Sequence, residues 1–326
     1  MTYISNVRAY FCLSLLLFSG CATNRSKQAE PLSSRELSDF FGRAQDPRSF
    51  WITVYETEDG PRFAGAHRLH TGKFAERSFE SRRKSDAPLI SVFFRGQNEQ
   101  LALLDTSSRA SWMTYELAIA TGMIALGPPA YRLYPTHVND PIPGYLSVAS
   151  RLSLGDLHIE NALLYVKAAK GNLHSLMRDR DRVRAPVVLG ADFIRAFYYV
   201  QIDFPNRVVR FSSTEAYTPN PDRLIATAPL REINASIAVS GLLNGEETPF
   251  LLDSVGDFEL ALPVEKPTTV RQIILGDLVL RHLTATPSSA LDLGMPAIPR
   301  IGIKALNKFI VTFDAHEKNI YFERPQ

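Results

Sequence analysis

The chain reads as an all-β protein of two related lobes with few short helices. Three observations predict this. One motif pair occurs twice: Leu101-Ala102-Leu103-Leu104-Asp105-Thr106-Ser107-Ser108 precedes Val187-Val188-Leu189-Gly190-Ala191-Asp192-Phe193, and Phe250-Leu251-Leu252-Asp253-Ser254-Val255-Gly256 precedes Ile301-Gly302-Ile303-Lys304-Ala305-Leu306. Two more landmarks recur in the same order. Leu152-Ser153-Leu154-Gly155-Asp156-Leu157 parallels Ile273-Ile274-Leu275-Gly276-Asp277-Leu278, and Ile202-Asp203-Phe204 parallels Thr312-Phe313-Asp314. Four landmarks repeated in register mark an internal duplication. From Phe50 onward, short apolar or alternating runs are broken by Gly, Pro, Asn and Asp, the pattern of antiparallel strands.

Residues 1–20 read as a targeting segment. Arg8 supplies a positive charge, and the apolar run Ala9 to Phe18 is too short to span a bilayer. The run ends in Leu17-Phe18-Ser19-Gly20-Cys21, which resembles the lipobox of bacterial lipoproteins. That resemblance implies a lipidated Cys21 at the mature N-terminus. A plain signal peptide cut elsewhere, with Cys21 incidental, is the other reading. Cys12 falls in the removed segment, so no disulfide is expected.

Residues 21–45 form a polar tether and a short helix. Ser33-Ser34-Arg35-Glu36 reads as a capping box ahead of Leu37, Phe40 and Phe41, with Gly42 as the stop. Residues 46–213 make the first lobe, with strands such as Trp51-Ile52-Thr53-Val54-Tyr55 and Leu89-Ile90-Ser91-Val92-Phe93-Phe94. Short helices are expected at Thr114 to Ala120 and Ala191 to Phe197. A Pro-rich bridge at 214–223 leads to the second lobe, 224–326.

The composition, 45% hydrophobic and 21% charged over 326 residues, supports one large core or two small ones. A net charge of +2 argues against nucleic acid, and the basic stretches Arg82-Arg83-Lys84 and Arg178 to Arg184 are short solvated loops. The seven histidines form no metal set; His67 and His70 lack acidic or Cys partners at ligand spacing and read as surface strand positions. Gly65 to Gly72-Lys73 has the wrong spacing for a phosphate loop, and no Gly-x-Ser-x-Gly elbow occurs. No cofactor is expected.

One Asp per half, each at a strand end and followed by a hydroxyl residue, suits chemistry that needs two facing carboxylates. With the apolar-apolar-Gly strand after each, the two motifs resemble those of aspartic proteases of the pepsin and retropepsin superfamily. Val188 to Ile194 with Ile202-Asp203-Phe204 is similar to the closing segment of bacterial retropepsin-like domains. The resemblance covers about residues 85–213 and 224–326, and it implies two pseudo-symmetric lobes, each a closed barrel. It implies that Asp105 and Asp253 form a water-activating dyad, that Thr106 and Ser254 lock the loops together, and that Ser108 hydrogen-bonds the neighbouring carboxylate. Gly is expected third in each motif, and this chain has Ser107 and Val255 there, with Gly256 one place late, which would shift the second loop.

A substrate flap is expected within His137 to Leu146, with Gly144 and Tyr145 facing the cleft; an ordinary connecting hairpin is the alternative. Asp253 to Gly276 is less than half the span from Asp105 to Gly155, so only lobe one has room for it. The expected protein is a monomeric endopeptidase acting on polypeptide, held to the bacterial envelope through Cys21. Ala22 lacks the acidic signal for inner-membrane retention, which favours the outer membrane facing the periplasm. A catalytically inactive relative that binds peptide or an envelope protein in the same cleft is the alternative.

Overall fold

The computed structural model describes residues 30–57, 60–80, 86–127, 131–133, 142–171, 173, 185–288 and 298–325. Helix α1 (Ser34–Phe41) starts on the expected capping box, with Ser33 and Glu36 bonded reciprocally, and stops at Gly42. Strand β1 (Phe74–Ser78) precedes the first barrel, which is built from β2 (Leu89–Phe94), β3 (Glu99–Leu104), β4 (Trp112–Met113), β5 (Gly144–Leu154), β6 (Leu157–Lys167) and β7 (Val187–Leu189). Helix α2 (Tyr115–Ala120), capped by Thr114, follows β4. Helix α3 (Ala191–Ile194) is a single turn after β7, shorter than the sequence suggests, and leads to the hairpin β8 (Tyr199–Asp203) and β9 (Val208–Ser212).

The second half repeats this plan. Strand β10 (Leu224–Ile233) precedes β11 (Ser236–Leu243), β12 (Glu246–Asp253), β13 (Leu260–Leu262), β14 (Thr268–Leu275), β15 (Leu278–Pro287) and β16 (Arg300–Gly302). Helix α4 (Ile303–Leu306) and the hairpin β17 (Ile310–Asp314) and β18 (Asn319–Glu323) close the chain.

The ladder connections are the same in both lobes. In the first, β3 pairs antiparallel with β2 and parallel with β7, β7 pairs with β4, β4 with β6, β6 with β5, and β5 returns to β2. In the second, β12 pairs antiparallel with β11 and parallel with β16, then β16 with β13, β13 with β15, β15 with β14, and β14 with β11. Each circuit closes, so neither barrel leaves a free edge. The repeated Gly-Asp landmark makes the same tight turn twice: Leu154 faces Leu157 across Gly155, and Leu275 faces Leu278 across Gly276. Both glycines hold a positive φ, 65° and 58°, which a hairpin turn of two residues requires.

The closing hairpins do not belong to separate bodies. They join in one antiparallel sheet ordered β10-β18-β17-β8-β9-β1, with β8 against β17 from Tyr199↔Asp314 to Asp203↔Ile310. Near the middle of that seam Gln201 Nε2 donates to Thr312 Oγ1 at 2.9 Å. Apolar side chains such as Phe193, Phe211, Phe250, Phe313 and Phe322 are fully buried and run the core through both halves. Among the described residues no helix is long and apolar enough to cross a membrane.

Candidate active site

The strands β3 and β12 start at exposed glutamates and finish in buried apolar runs, Ala102-Leu103-Leu104 and Phe250-Leu251-Leu252, that lead directly into Asp105 and Asp253. Each is clamped on one side by a parallel partner, which continues into a one-turn helix behind the loop. Asp105 and Asp253 are therefore delivered to equivalent places, and both are buried, with 5% and 2% of their surface exposed.

The loops after them bond across the lobes. Thr106 N–H donates to Ser254 Oγ, and Ser254 N–H donates to Thr106 Oγ1, each at 3.1 Å. Thr106 Oγ1 in turn donates to the Leu252 carbonyl, and Ser254 Oγ to the Leu104 carbonyl at 2.7 Å. Four bonds related by a pseudo-twofold axis thus lock the two strand ends together. The residue following each Asp thus bonds its counterpart across the lobes, and the Asp253 charge acts on Asp105.

Backbone donors hold each carboxylate in the same way. Asp105 Oδ1 accepts from Ser107 N at 2.9 Å and Ser108 N at 3.1 Å; Asp253 Oδ1 accepts from Val255 N at 3.2 Å and Gly256 N at 2.8 Å. Behind them Ala191 N–H donates to the Ser108 carbonyl and Ile303 N–H to the Gly256 carbonyl. The second loop is therefore not shifted by Val255, contrary to the expectation from its missing glycine. Val255 presents its N–H where Ser107 does and turns its side chain into buried space. Gly256 matches Ser108, and it stays a glycine for lack of room. A Cβ there would lie 2.3 Å from Phe258 Cε1 and 2.8 Å from Asp253 Oδ2.

Ser108 also differs from expectation. Its hydroxyl donates to the Ala110 carbonyl at 2.7 Å, and the hydroxyl that reaches Asp105 Oδ1 is that of Ser107, at 2.8 Å. With a charge on Asp253, burial and that charge push the Asp105 carboxyl up to about 6, against the Ser107 and Ser108 hydrogen bonds that lower it.

Tyr145 and Gly144, expected at the flap, stand outside the two loops that carry the aspartates. Both lie at the start of β5, paired with Arg132 and Leu133 on one side and with Val166 and Lys167 on the other. Tyr145 sets its ring edge-on to Phe41 of α1, 4.7 Å between centroids, because the apolar face of that helix is covered there. Gly144 leaves room for Trp112, whose Cζ3 would be 2.4 Å from a Cβ. The pairing of Arg132–Leu133 with β5 makes a hairpin base, and residues 134–141, where the flap was expected to turn, lie outside the described residues. So do Cys21, Arg82-Arg83-Lys84 and Arg178 to Arg184.

Two supporting groups escaped the sequence reading. Ser111 Oγ accepts from Gly190 N–H at 3.0 Å and donates to Asp192 Oδ1 at 2.7 Å, which pins the lobe-one loop to α3. His67 is buried rather than on a surface strand, its Nε2 3.8 Å from Asp192 Oδ2 and its ring against Phe193. Burial raises the Asp192 carboxyl, yet the His67 and Ser111 contacts outweigh that and hold it below the usual range. The signal for Asp192 was its place two residues after the repeated glycine, where lobe two has Lys304. Among the described residues no group of three or more His, Cys, Asp and Glu side chains is placed to hold a metal.

No protein-family model matches the chain, and no curated protein matches it.

Proposed function

We propose that this chain is an aspartic endopeptidase of the pepsin and retropepsin kind, anchored to the bacterial envelope by lipid on Cys21. One observation carries the reading: two buried aspartates stand at the ends of equivalent strands of a duplicated barrel, and reciprocal bonds between Thr106 and Ser254 join the loops that follow them. A peptide-bond hydrolase needs one ionised and one protonated carboxyl on a single water, and a buried pair keeps one shared proton for the same electrostatic reason. The ionised member takes a proton from water as its oxygen attacks the scissile carbon. The protonated member gives its proton to the carbonyl oxygen, and the resulting diol collapses as the leaving nitrogen is protonated. The Arg132–Leu133 and β5 hairpin base supports a flap from lobe one. In lobe two the short link from β13 to β14 leaves no room for another.

A second reading has its own support: Val255 is a buried, β-branched residue beside the dyad, where such enzymes carry glycine. On that reading the cleft binds peptide or an envelope protein without cutting it. The discriminating experiment incubates the soluble Cys21→Ser chain with an unfolded polypeptide from acid to neutral pH and identifies the products by mass spectrometry. Cleavage that fades above about pH 6, and that both Asp105→Asn and Asp253→Asn abolish, is expected. Peptide binding with no cleavage at any pH would establish the binder instead.

A further inference from the structure

A cleft of about 500 Å³ opens between the two halves of the chain. Arg195, just after α3, lines it from the first half; Leu230, Arg231 and Glu232 of β10, with Ala315 and Lys318 of the turn between β17 and β18, line it from the second. Its charges do not balance. Glu232 is the one carboxylate in the lining, and it already serves two guanidiniums, Arg195 at 3.3 Å and Arg62. Among the described residues Arg231 and Lys318 have no ion-pair partner. Arg195 is the deepest of the cations, its side chain 22% exposed, and its Nη1 donates to the Ala235 carbonyl at 2.8 Å. Burial lowers the Arg195 guanidinium from its ordinary value, and the charges of Glu232 and Asp192 do not make up the difference. A guanidinium keeps its proton in proteins, so a further anion is what would relieve that cost.

We propose that this cleft binds a phosphomonoester or diphosphate group, held by Arg195, Arg231 and Lys318 from both halves of the chain. A phosphate carries about −1.5 to −2 charge at neutral pH and three acceptor oxygens, enough to be shared among three cations. The two guanidiniums offer paired donors that match its oxygens, and the lysine adds a point charge. The cleft is larger than the anion alone, in the range of small-molecule sites, and Leu230 and Ala315 give an apolar wall to the group that carries the phosphate. A soluble phosphorylated molecule and a lipid headgroup both supply this chemistry. The cleft backs onto the supports of the Asp105 loop: Ala191 of α3 donates to the Ser108 carbonyl, and Ser236, next to Ala235, donates to the Ser107 carbonyl at 3.3 Å. None of its lining residues bonds either aspartate, so the site stands or falls independently of the peptidase reading.

The test is titration calorimetry of the Cys21→Ser chain with pyrophosphate, beside co-sedimentation with phosphatidylcholine vesicles with and without phosphatidic acid. Saturable pyrophosphate binding is expected. Arg231→Ala and Lys318→Ala change exposed side chains that no ion pair holds, so both variants should fold. Each is expected to weaken binding about tenfold, the loss of one charge-assisted hydrogen bond. Arg43→Ala, which removes an exposed arginine elsewhere, is expected to leave it unchanged. Retention on phosphatidic acid vesicles that Arg231→Ala and Lys318→Ala both lose assigns the site to a lipid headgroup. Pyrophosphate binding without such variant-sensitive retention assigns it to a soluble phosphorylated molecule. No saturable pyrophosphate binding overturns the proposal, whatever the vesicles show. So does binding by Arg231→Ala or Lys318→Ala as tight as that of Arg43→Ala, because diffuse surface charge would then account for it.

Discussion

The bonds between Thr106 and Ser254 predict how strongly the two lobes depend on one another. Thr106→Val keeps the shape and removes only the hydroxyl, at a position with no exposed surface. Two buried backbone groups then lose a partner: the Ser254 N–H, which donated to Thr106 Oγ1, and the Leu252 carbonyl, which accepted from it. An orphaned buried group costs about 1–3 kcal/mol, and a carbonyl with a second lone pair sits at the low end, so the loss should total about 2–4 kcal/mol. That is a large share of the roughly 5–15 kcal/mol by which a domain is stable. Urea unfolding of the Cys21→Ser chain measures it, and Trp112, buried in the first barrel, reports the transition by fluorescence. Thr106→Ser, which retains the hydroxyl, should lie within about 1 kcal/mol of the parent. Ser254→Ala removes the mirror-image pair of bonds and should cost a similar amount. The double variant should fall short of the sum, because both changes open the same contact. Thr106→Val within about 0.5 kcal/mol of the parent would show that these bonds do not hold the lobes together.

Other perturbations have equally definite outcomes. Asp105 is pushed up from 3.8 to about 6 in the fold, so its contribution is fully present below about pH 4 and is lost as pH rises through about 6; the difference amounts to about 3 kcal/mol. Asp105→Asn cannot ionise, so its stability relative to the parent should rise between those pH values, and parallel thermal-melting curves would contradict the assignment. Gly256→Ala drives a methyl into the Phe258 ring and Asp253 Oδ2, and should cost about 1–3 kcal/mol together with any cleavage, read from urea midpoints and kcat/KM. Gly190→Ala meets the backbone oxygens of Ala110 and Ser108 at 2.4 and 2.8 Å, which cannot swing aside, so it should be the more damaging of the two in the same urea series. Cys21→Ser should move the protein from the membrane fraction to the soluble one, and unchanged fractionation would place the anchor elsewhere.

Local features were legible in the sequence because local physics makes them. An apolar run ending on Asp and a hydroxyl residue is a buried strand meeting a loop. Gly-Asp between leucines is a tight hairpin turn, and Ser33 with Glu36 is a helix start; each appears where the residues place it. Their repetition in order was enough to predict two equivalent all-β lobes and to single out Asp105 and Asp253. What pattern alone could not supply was direction and partnership between distant residues. A serine hydroxyl rotates to whichever acceptor the fold brings near, so the exchange of roles between Ser107 and Ser108 was decided by the loop's path. Val255 leaves its loop unshifted for a similar reason: its N–H, which every non-proline residue has, makes the bond to Asp253. Tyr145 was drawn to the apolar face of α1, and His67 was buried against Phe193 and Asp192, through contacts between segments far apart in the chain. The seam of β8 against β17 and the bonds between Thr106 and Ser254 likewise exist only once both halves have folded, since each joins groups more than a hundred residues apart. Sequence determined the two aspartates and the strands that carry them; tertiary packing decided what each carboxylate faces, because burial and hydrogen-bond partners are properties of the assembled interior.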